Sequence, residues 1–220
     1  MRNSILVPIL ALISCAAVAQ TPAEDPILSG FPSSHHWRND PVSWGVKDGV
    51  LTIQAGEKTD WYIAPHNGEQ VATSPLLLFP APKEFWFSAK VTLDFKSQYD
   101  AGALVVYADE EHWVKFAFES PNGKTGGIVS VVTRGISDDN TGASIKGNSV
   151  YLEVSKTGQA MFLFYSTDGK SWNVTRAFRL GQEQSLQFGF SAQSPRGKGA
   201  SVTFSDIRYQ PKALNPWSAE

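Results

Sequence analysis

The segment that decides the fold runs from Tyr99 to Asp139 and reads YDAGALVVYADEEHWVKFAFESPNGKTGGIVSVVTRGISDD. Near its middle, two sets of residues alternate: Val114, Phe116 and Phe118 in one set, and Trp113, Lys115, Ala117 and Glu119 in the other. Successive side chains of a β-strand point to opposite faces, so this alternation predicts a strand with one buried face. A shift of one residue would bury Lys115 and Glu119, so the register is strongly specified. The sequence therefore predicts that Trp113, Lys115 and Glu119 share the face away from the core.

Similar alternation recurs along the chain. One further strand is predicted from the apolar positions Phe87, Ala89, Val91, Leu93 and Phe95, which are separated by polar residues. Turn-forming pairs such as Asn122-Gly123 and Asp168-Gly169 lie between the later candidate strands. No segment between Val50 and Tyr209 keeps the 3.6-residue period of an amphipathic helix. The prediction is an all-β protein, an antiparallel sandwich of the jelly-roll kind.

The N-terminus has the pattern of an export signal. Arg2 precedes the apolar stretch 4–14, and Ala17-Val18-Ala19 forms an A-x-A site. This predicts a signal peptide over residues 1–19, cleaved before Gln20, and an exported protein in the periplasm or outside the cell. The segment Leu12-Ile13-Ser14-Cys15 also resembles a bacterial lipobox, which leaves a lipoprotein anchored through Cys15 as the alternative. Membrane attachment is expected only in that case.

Length and composition limit the remaining possibilities. We expect a disordered lead over residues 20–30, one sandwich over 31–210 and an irregular tail over 211–220. The net charge of −2 provides no basic stripe for a nucleic-acid partner. His35 and His36 are adjacent, so an extended backbone points them to opposite sides. We expect no metal site, no cofactor and a monomer.

The predicted polar face is the most promising site. Trp113 could stack on the apolar face of a pyranose ring, while Lys115 and Glu119 bond its hydroxyl groups. Asp138 is a further polar candidate, and Asp60-Trp61-Tyr62 near His66 forms a second candidate rim. The alternative is a Lys115–Glu119 ion pair above a structural tryptophan.

Catalysis has less support from the sequence. A glycoside hydrolase needs two carboxyl groups about 5–10 Å apart across the scissile bond. Glu119 has no acidic neighbour at positions 115 or 117, where Lys115 and Ala117 stand. A partner carboxylate would have to come from another strand, such as Asp94 or Asp138.

Several motifs occur in a fixed order between about Trp37 and Tyr209. They include Tyr99-Asp100-x-Gly102, Trp113-x-Lys115-x-x-x-Glu119, Ser137-Asp138, Tyr165-Ser166-x-Asp168-Gly169-x-x-Trp172 and Phe204-Ser205-Asp206. Together they resemble an uncharacterised bacterial and fungal domain family related to the yeast "regulation of enolase" protein, within the concanavalin A-like lectin/glucanase sandwiches.

The resemblance implies a concanavalin A-like jelly-roll β-sandwich of two antiparallel sheets with one concave face. It implies no established activity and no catalytic residues. The family usually has an aromatic residue after the Ser-Asp pair, where this chain has Asp139. An aromatic platform at that loop is therefore not expected here.

We therefore expect an exported, non-catalytic sandwich that binds a glycan on its concave face. The candidate ligand-binding residues are Trp113, Lys115, Glu119, Asp138, Asp60 and Trp61. Two alternatives remain open: a glycoside hydrolase-like enzyme that uses Glu119, and a structural or protein-interaction sandwich.

Overall fold

The structure is a computed structural model that describes residues 26–181 and 185–215. The predicted signal peptide, with Cys15 and the cleavage site before Gln20, lies outside the described residues. Within them the chain forms sixteen β-strands and no helix. The strands are β1 (His36–Arg38), β2 (Ser43–Lys47), β3 (Val50–Ala55), β4 (Trp61–Ile63), β5 (Gln70–Ala72), β6 (Leu76–Pro80), β7 (Phe85–Thr92), β8 (Ala101–Asp109), β9 (His112–Glu119), β10 (Gly126–Arg134), β11 (Ile136–Ile145), β12 (Ser149–Thr157), β13 (Ala160–Ser166), β14 (Asn173–Phe178), β15 (Gln187–Gln193) and β16 (Ala200–Gln210). This part of the chain has no helix long and apolar enough to cross a membrane.

The strands form two seven-stranded antiparallel sheets and one small hairpin. The first sheet has the order β1-β6-β15-β8-β9-β10-β11, and the second has the order β14-β13-β12-β7-β16-β3-β2. Strands β4 and β5 pair only with each other in the third, two-stranded sheet. The predicted fold class, an all-β jelly-roll sandwich of two antiparallel sheets, is confirmed.

The core lies between the two large sheets. Val114, Phe116 and Phe118 of β9 are at most 1% exposed and join this core, as their alternation predicts. Burying each of these side chains contributes about 1.5–3 kcal/mol. On β15 the ring of Phe188 stacks against Tyr209, with 5.0 Å between ring centroids. The core therefore fixes which residues of β9 face outward.

The segment before β1 corrects one prediction. Residues 20–30 were predicted to be disordered, but Leu28 is 3% exposed and belongs to the main core. Phe31 also packs there, with its ring centroid 5.0 Å from those of Phe79 and Tyr209. These apolar residues are too few to form a periodic pattern, so their burial could not be predicted from alternation. At the other end, residues 211–215 are irregular, and the rest of the predicted tail lies outside the described residues.

The β4–β5 hairpin covers part of the outer face of the first sheet. Trp61 and Ile63 of the hairpin form a second apolar cluster with residues of β8, β9 and β10. The backbone N–H of Ile63 donates to Ser137 Oγ at 2.9 Å, and Ser137 Oγ lies 2.9 Å from Thr133 Oγ1. The hairpin is thereby attached to β11, and it leaves the other part of this face open.

The outer face of the second sheet carries a buried acid. Glu153 of β12 lies between the core residues Leu152 and Val154, so its side chain points outward, yet it is 7% exposed. Burial raises the pKa of Glu153 to about 7, against the opposing effect of Arg208. The folded state therefore holds this proton more tightly than the unfolded chain.

Replacing Glu153 with glutamine should flatten the pH dependence of stability. Because the folded-state pKa of about 7 lies above the ordinary value of 4.5, this group's stabilising contribution is fully present below pH 4.5 and is lost as the pH rises through 7. At pH 8 the variant should be more stable than the parent by up to about 3 kcal/mol, with little difference at pH 4. Urea unfolding of the variant and the parent at pH 4 and at pH 8 measures this effect. If the two proteins differ in stability by the same amount at both pH values, the prediction is wrong.

Candidate functional site

Lys115 borders the open part of the first sheet's outer face. Strand pairing places Lys115, Val131 and Asp139 in one row across β9, β10 and β11. The Lys115 side chain is buried, and Nζ donates to Asp60 Oδ1 at 3.1 Å and to Gln193 Oε1 at 2.9 Å. Burying an ammonium group is costly unless it is paired and hydrogen-bonded, so these two contacts keep it charged.

Asp60 is held in place by the hairpin that it begins. Its backbone carbonyl accepts from the N–H groups of Thr73 and Ser74 at 2.8 and 3.0 Å. Its carboxylate Oδ1 accepts from the N–H of Trp61 at 2.7 Å as well as from Lys115. The β4–β5 hairpin therefore supplies the counter-ion of the buried lysine.

Gln193 connects the lysine to a glutamate. It lies at the end of β15, where its strand partner Ala101 also pairs with Glu119. The Gln193 amide nitrogen donates to Glu119 Oε2 at 3.3 Å and to the carbonyl of Tyr99 at 3.1 Å. Its amide oxygen faces the Lys115 ammonium. Cation and carboxylate on opposite sides fix the orientation of this amide.

Two carboxyl groups at the site, those of Glu119 and Asp139, hold their protons more tightly than usual. Burial raises the pKa of Glu119 to about 7; Lys115 opposes the shift, and Asp60 and Asp139 add to it. Burial also raises the pKa of Asp139, again against the effect of Lys115. For Lys115, burial alone would lower the pKa, but the Asp60 and Glu119 carboxylates outweigh it and the pKa is raised. At neutral pH the lysine is therefore cationic, while Glu119 can both donate and accept a proton.

Tyr99 contributes a wall of the site through an unusual backbone conformation. Its φ of 68° lies in the left-handed region, which non-glycine residues rarely adopt. The carboxylate of the next residue, the fully buried Asp100, accepts from the N–H groups of Lys96 and Ser97 at 3.0 and 2.8 Å. It also accepts from Ser194 Oγ at 2.6 Å. These bonds hold the loop before β8 and with it the position of Tyr99.

Together these residues enclose a cavity of about 260 Å³. Its polar lining consists of Asp60, Lys115, Glu119, Asp139 and Gln193. Tyr62 and Tyr99 are its aromatic lining, and Val129 and Val131 supply apolar surface. No three or more His, Cys, Asp and Glu side chains of residues 26–181 and 185–215 are grouped to hold a metal ion. The arrangement suits an uncharged or cationic organic molecule with several hydrogen-bonding groups.

Residues 37–212 match the DUF1349 family, described as proteins of unknown function. The chain belongs to that family. It is 28% identical over 172 residues to "Regulation of enolase protein 1" of Saccharomyces cerevisiae, covering 77% of this chain and 86% of that protein. The resemblance drawn from the motifs is thereby confirmed.

Solved structures agree on the fold. A functionally unknown protein from Saccharomyces cerevisiae superposes with a TM-score of 0.75 at 27% identity, over 83% of this chain and 97% of that one. The glycoside hydrolase family 43 protein BlXynB (K247S mutant) of Bacillus licheniformis gives 0.64 at 16% identity, over 90% of this chain but 40% of that one. The CBM2 module of the evolved Dit of Lactobacillus casei BL23 phage J-1 gives 0.51 at 12% identity, over 86% of this chain and 94% of the module. The last two likenesses concern the fold alone.

The structure brings three of the six candidate residues together. Lys115, Glu119 and Asp60 line one cavity. Lys115 pairs with Asp60, and Gln193 links it to Glu119, so the alternative of a direct Lys115–Glu119 ion pair is replaced by a longer network.

The two tryptophans lie outside the cavity lining. Trp113 and Trp61 are each 2% exposed, and their rings meet edge to face with centroids 6.2 Å apart. The hairpin covers Trp113, so the prediction that its ring is free to stack on a sugar is wrong for this structure. Alternation identified the face of β9 correctly, but it carries no information about what packs on that face.

The two carboxylates suggested as partners of Glu119 also lie elsewhere. Asp138 is in register with Val132, whose side chain faces the core, and it pairs with Arg176 of β14. Asp94 accepts from Asn148 at 2.9 Å in a separate groove. The acids that share the cavity with Glu119 are Asp60 and Asp139.

Sequence reasoning missed Tyr99, Asp139 and Gln193 as lining residues. Tyr62, named with Asp60 and Trp61 in the second candidate rim, lines the cavity. Asp139 could have been found, because neighbouring residues of a strand point to opposite faces and Asp138 was already a candidate. Gln193 carries no such signal, since only the pairing of β15 with β8 brings it to the site.

Proposed function

We propose that this chain is an exported, non-catalytic β-sandwich that binds the end of a carbohydrate chain in the cavity beside Lys115. The observation that carries the proposal is the buried Lys115 ammonium. Asp60 and Gln193 accept two of its three N–H groups, and its side chain lines a cavity of about 260 Å³. A fixed donor of this kind binds an oxygen of a ligand at little entropic cost.

The chemistry of the lining matches that of a sugar. Hydroxyl groups both donate and accept, and the cavity offers a donor in Lys115 and acceptors in Glu119 and Asp139. Tyr62 and Tyr99 provide ring surface for the C–H groups of a pyranose. Binding sites of about 300–1,000 Å³ hold drug-sized molecules, so this smaller cavity suits one terminal sugar unit.

The export part of the proposal rests on the N-terminal sequence. Purifying the protein from its native host and sequencing its N-terminus tests it. We expect a mature chain that begins at Gln20, after the Ala17-Val18-Ala19 site. A chain that begins at a lipidated Cys15 would instead establish a membrane-anchored lipoprotein, and an intact Met1 would contradict export.

A matched pair of tyrosine variants tests the sugar site. Tyr62→Ala removes an aromatic wall of the cavity and should weaken glycan binding about tenfold, equivalent to about 1.4 kcal/mol. Tyr151→Ala is the control, because Tyr151 lies on β12 in the other sheet and bonds Asp206. A glycan array identifies the ligand, and titration calorimetry compares the variants. Absence of saturable binding on the array, or equal affinities for Tyr62→Ala and the parent, would contradict the proposal.

Hydrolysis is the second candidate, favoured by one observation. Glu119 has a pKa of about 7 and shares its cavity with two further carboxyl groups, Asp60 and Asp139. A protonated acid beside an ionised one is the arrangement that glycosidases use. Release of reducing sugar that disappears in Glu119→Gln would establish this activity, whereas binding without release keeps the protein non-catalytic.

A further inference from the structure

We propose that the sugar bound beside Lys115 carries a free, positively charged amino group. This inference rests on the proposed function and specifies the ligand class for the same cavity. Three features of the cavity support it. The lining has more carboxyl groups than ammonium groups, the Gln193 amide already bonds Lys115 and Glu119, and Lys115 keeps one N–H for a ligand.

The lining contains three carboxyl groups and one ammonium group. Asp60, Glu119 and Asp139 are the acids, and Lys115 is the base. Lys115 makes its ion pair with Asp60, which leaves Glu119 and Asp139 without a salt-bridge partner among the described residues. An anionic sugar would meet the carboxylate of Asp139 and, in the ionised fraction of the protein, a second like charge on Glu119. A cationic sugar would meet opposite charges at both residues and would favour the ionised form of Glu119.

Arg176 and Arg196 make their contacts with groups other than the cavity carboxylates. Arg176 pairs with Asp138, which lies on the opposite face of β11. Arg196 lies over the ring of Tyr99, with its guanidinium carbon 5.3 Å from the ring centroid, and is not part of the cavity lining. Neither arginine forms an ion pair with Asp139, and Arg176 acts on that carboxyl only by opposing the rise of its pKa. The Asp139 carboxylate therefore keeps room for a cationic group of a ligand.

The position of Lys115 adds a second requirement. Its third N–H needs an acceptor, and the Gln193 amide is already oriented between Lys115 and Glu119. A ligand that presents an oxygen to Lys115 and an ammonium group to Glu119 and Asp139 satisfies both ends of the site. An amino sugar has a hydroxyl oxygen on the carbon next to its amine, which places the two groups a short distance apart.

The test compares three tetrasaccharides of equal length. They are the β-1,4-linked glucosamine tetramer with free amines, its fully N-acetylated form and cellotetraose, each titrated into the full protein near neutral pH and at physiological salt. Charge-assisted hydrogen bonds are stronger than neutral ones, so we expect the free amine to bind about tenfold to a hundredfold more tightly than either neutral sugar. Asp139→Asn should reduce this ratio of affinities towards one.

Asp94→Asn is the matched control. It makes the same change on a side chain that lies in a separate groove and accepts from Asn148, so it should keep the ratio of the parent. Asparagine is close in shape to aspartate, and thermal unfolding verifies that each variant is folded. The ratio of the affinities for the free amine and for the neutral sugars is also measured on the parent protein, so the inference can be tested even if a variant does not fold.

The outcomes separate the two proposals. A neutral tetrasaccharide that binds as tightly as the amine, with both weakened by Tyr62→Ala, overturns the amino-group inference and leaves the sugar site standing. A preference for the amine that survives in Asp139→Asn and in Glu119→Gln also overturns it, because the preference then arises at another surface. Failure of all three sugars and of a wider glycan array to bind overturns both.

Discussion

Replacing Lys115 with methionine should lower the free energy of unfolding by about 3–5 kcal/mol and abolish ligand binding. Methionine fills a similar volume, so packing is largely kept and the effect is electrostatic. Without the ammonium group, the carboxylate of Asp60 loses its ion-pair partner and Gln193 loses the donor to its amide oxygen. An uncompensated buried charge is far more costly than the intact pair is stabilising. Urea unfolding and titration calorimetry measure the two effects.

The loss should depend on pH. Glu119 has a pKa of about 7, which Lys115 holds down, so removing the lysine costs most where Glu119 is ionised. The variant should therefore recover part of its stability relative to the parent as the pH falls from 8 to 5 and Glu119 takes up its proton. Lys198→Met is the control, since Lys198 is exposed and lies outside the cavity lining, and it should change stability by no more than about 0.5 kcal/mol. A loss below about 1 kcal/mol for Lys115→Met would show that the network does not hold a buried charge.

Truncating Trp113 to alanine should destabilise the protein by about 3–5 kcal/mol. Its ring packs against Trp61 and belongs to the apolar cluster beneath the hairpin, and its Nε1 donates to the carbonyl of Glu110 at 3.3 Å. Alanine leaves a cavity at this contact and removes surface on which the hairpin rests. Because the hairpin also carries Asp60, the variant should bind ligand more weakly through disorder of the site.

Trp113→Phe separates packing from ligand contact. Phenylalanine keeps an aromatic ring under the hairpin, so most of the stability and the affinity should return. Chemical denaturation measures the stability of both variants, and calorimetry measures their affinity for the ligand. A Trp113→Ala protein of unchanged stability that has lost its ligand would instead restore the hypothesis that this ring stacks on the sugar.

Local alternation was sufficient to predict the faces of β9. Val114 and Phe116 enter the core and Lys115 leaves it, because a period of two is a property of the strand alone. The burial of Leu28 was not predictable in the same way. It depends on packing against core residues that lie much further along the chain, and no pattern within residues 26–30 indicates this packing.

The part of the site that lies on one strand was predictable from the sequence, and the part that is assembled from distant segments was not. Lys115 and Glu119 are four residues apart on one strand, so their shared face follows from the sequence. The burial of Trp113 depends on a hairpin that begins more than fifty positions earlier in the chain. Gln193 arrives from β15 through strand pairing. Contacts over such separations are decided by topology, and a single sequence does not determine them locally.

The left-handed backbone of Tyr99 has a consequence for how a ligand arrives. Such a conformation costs about 1–3 kcal/mol in a non-glycine residue and persists only where its surroundings enforce it. Here the buried Asp100 carboxylate enforces it through three hydrogen bonds, all of them with groups of the protein itself. This wall of the cavity is therefore preorganised. Free and bound crystals of this protein should superpose at the Tyr99 loop, and association should proceed in a single step with no slow rearrangement.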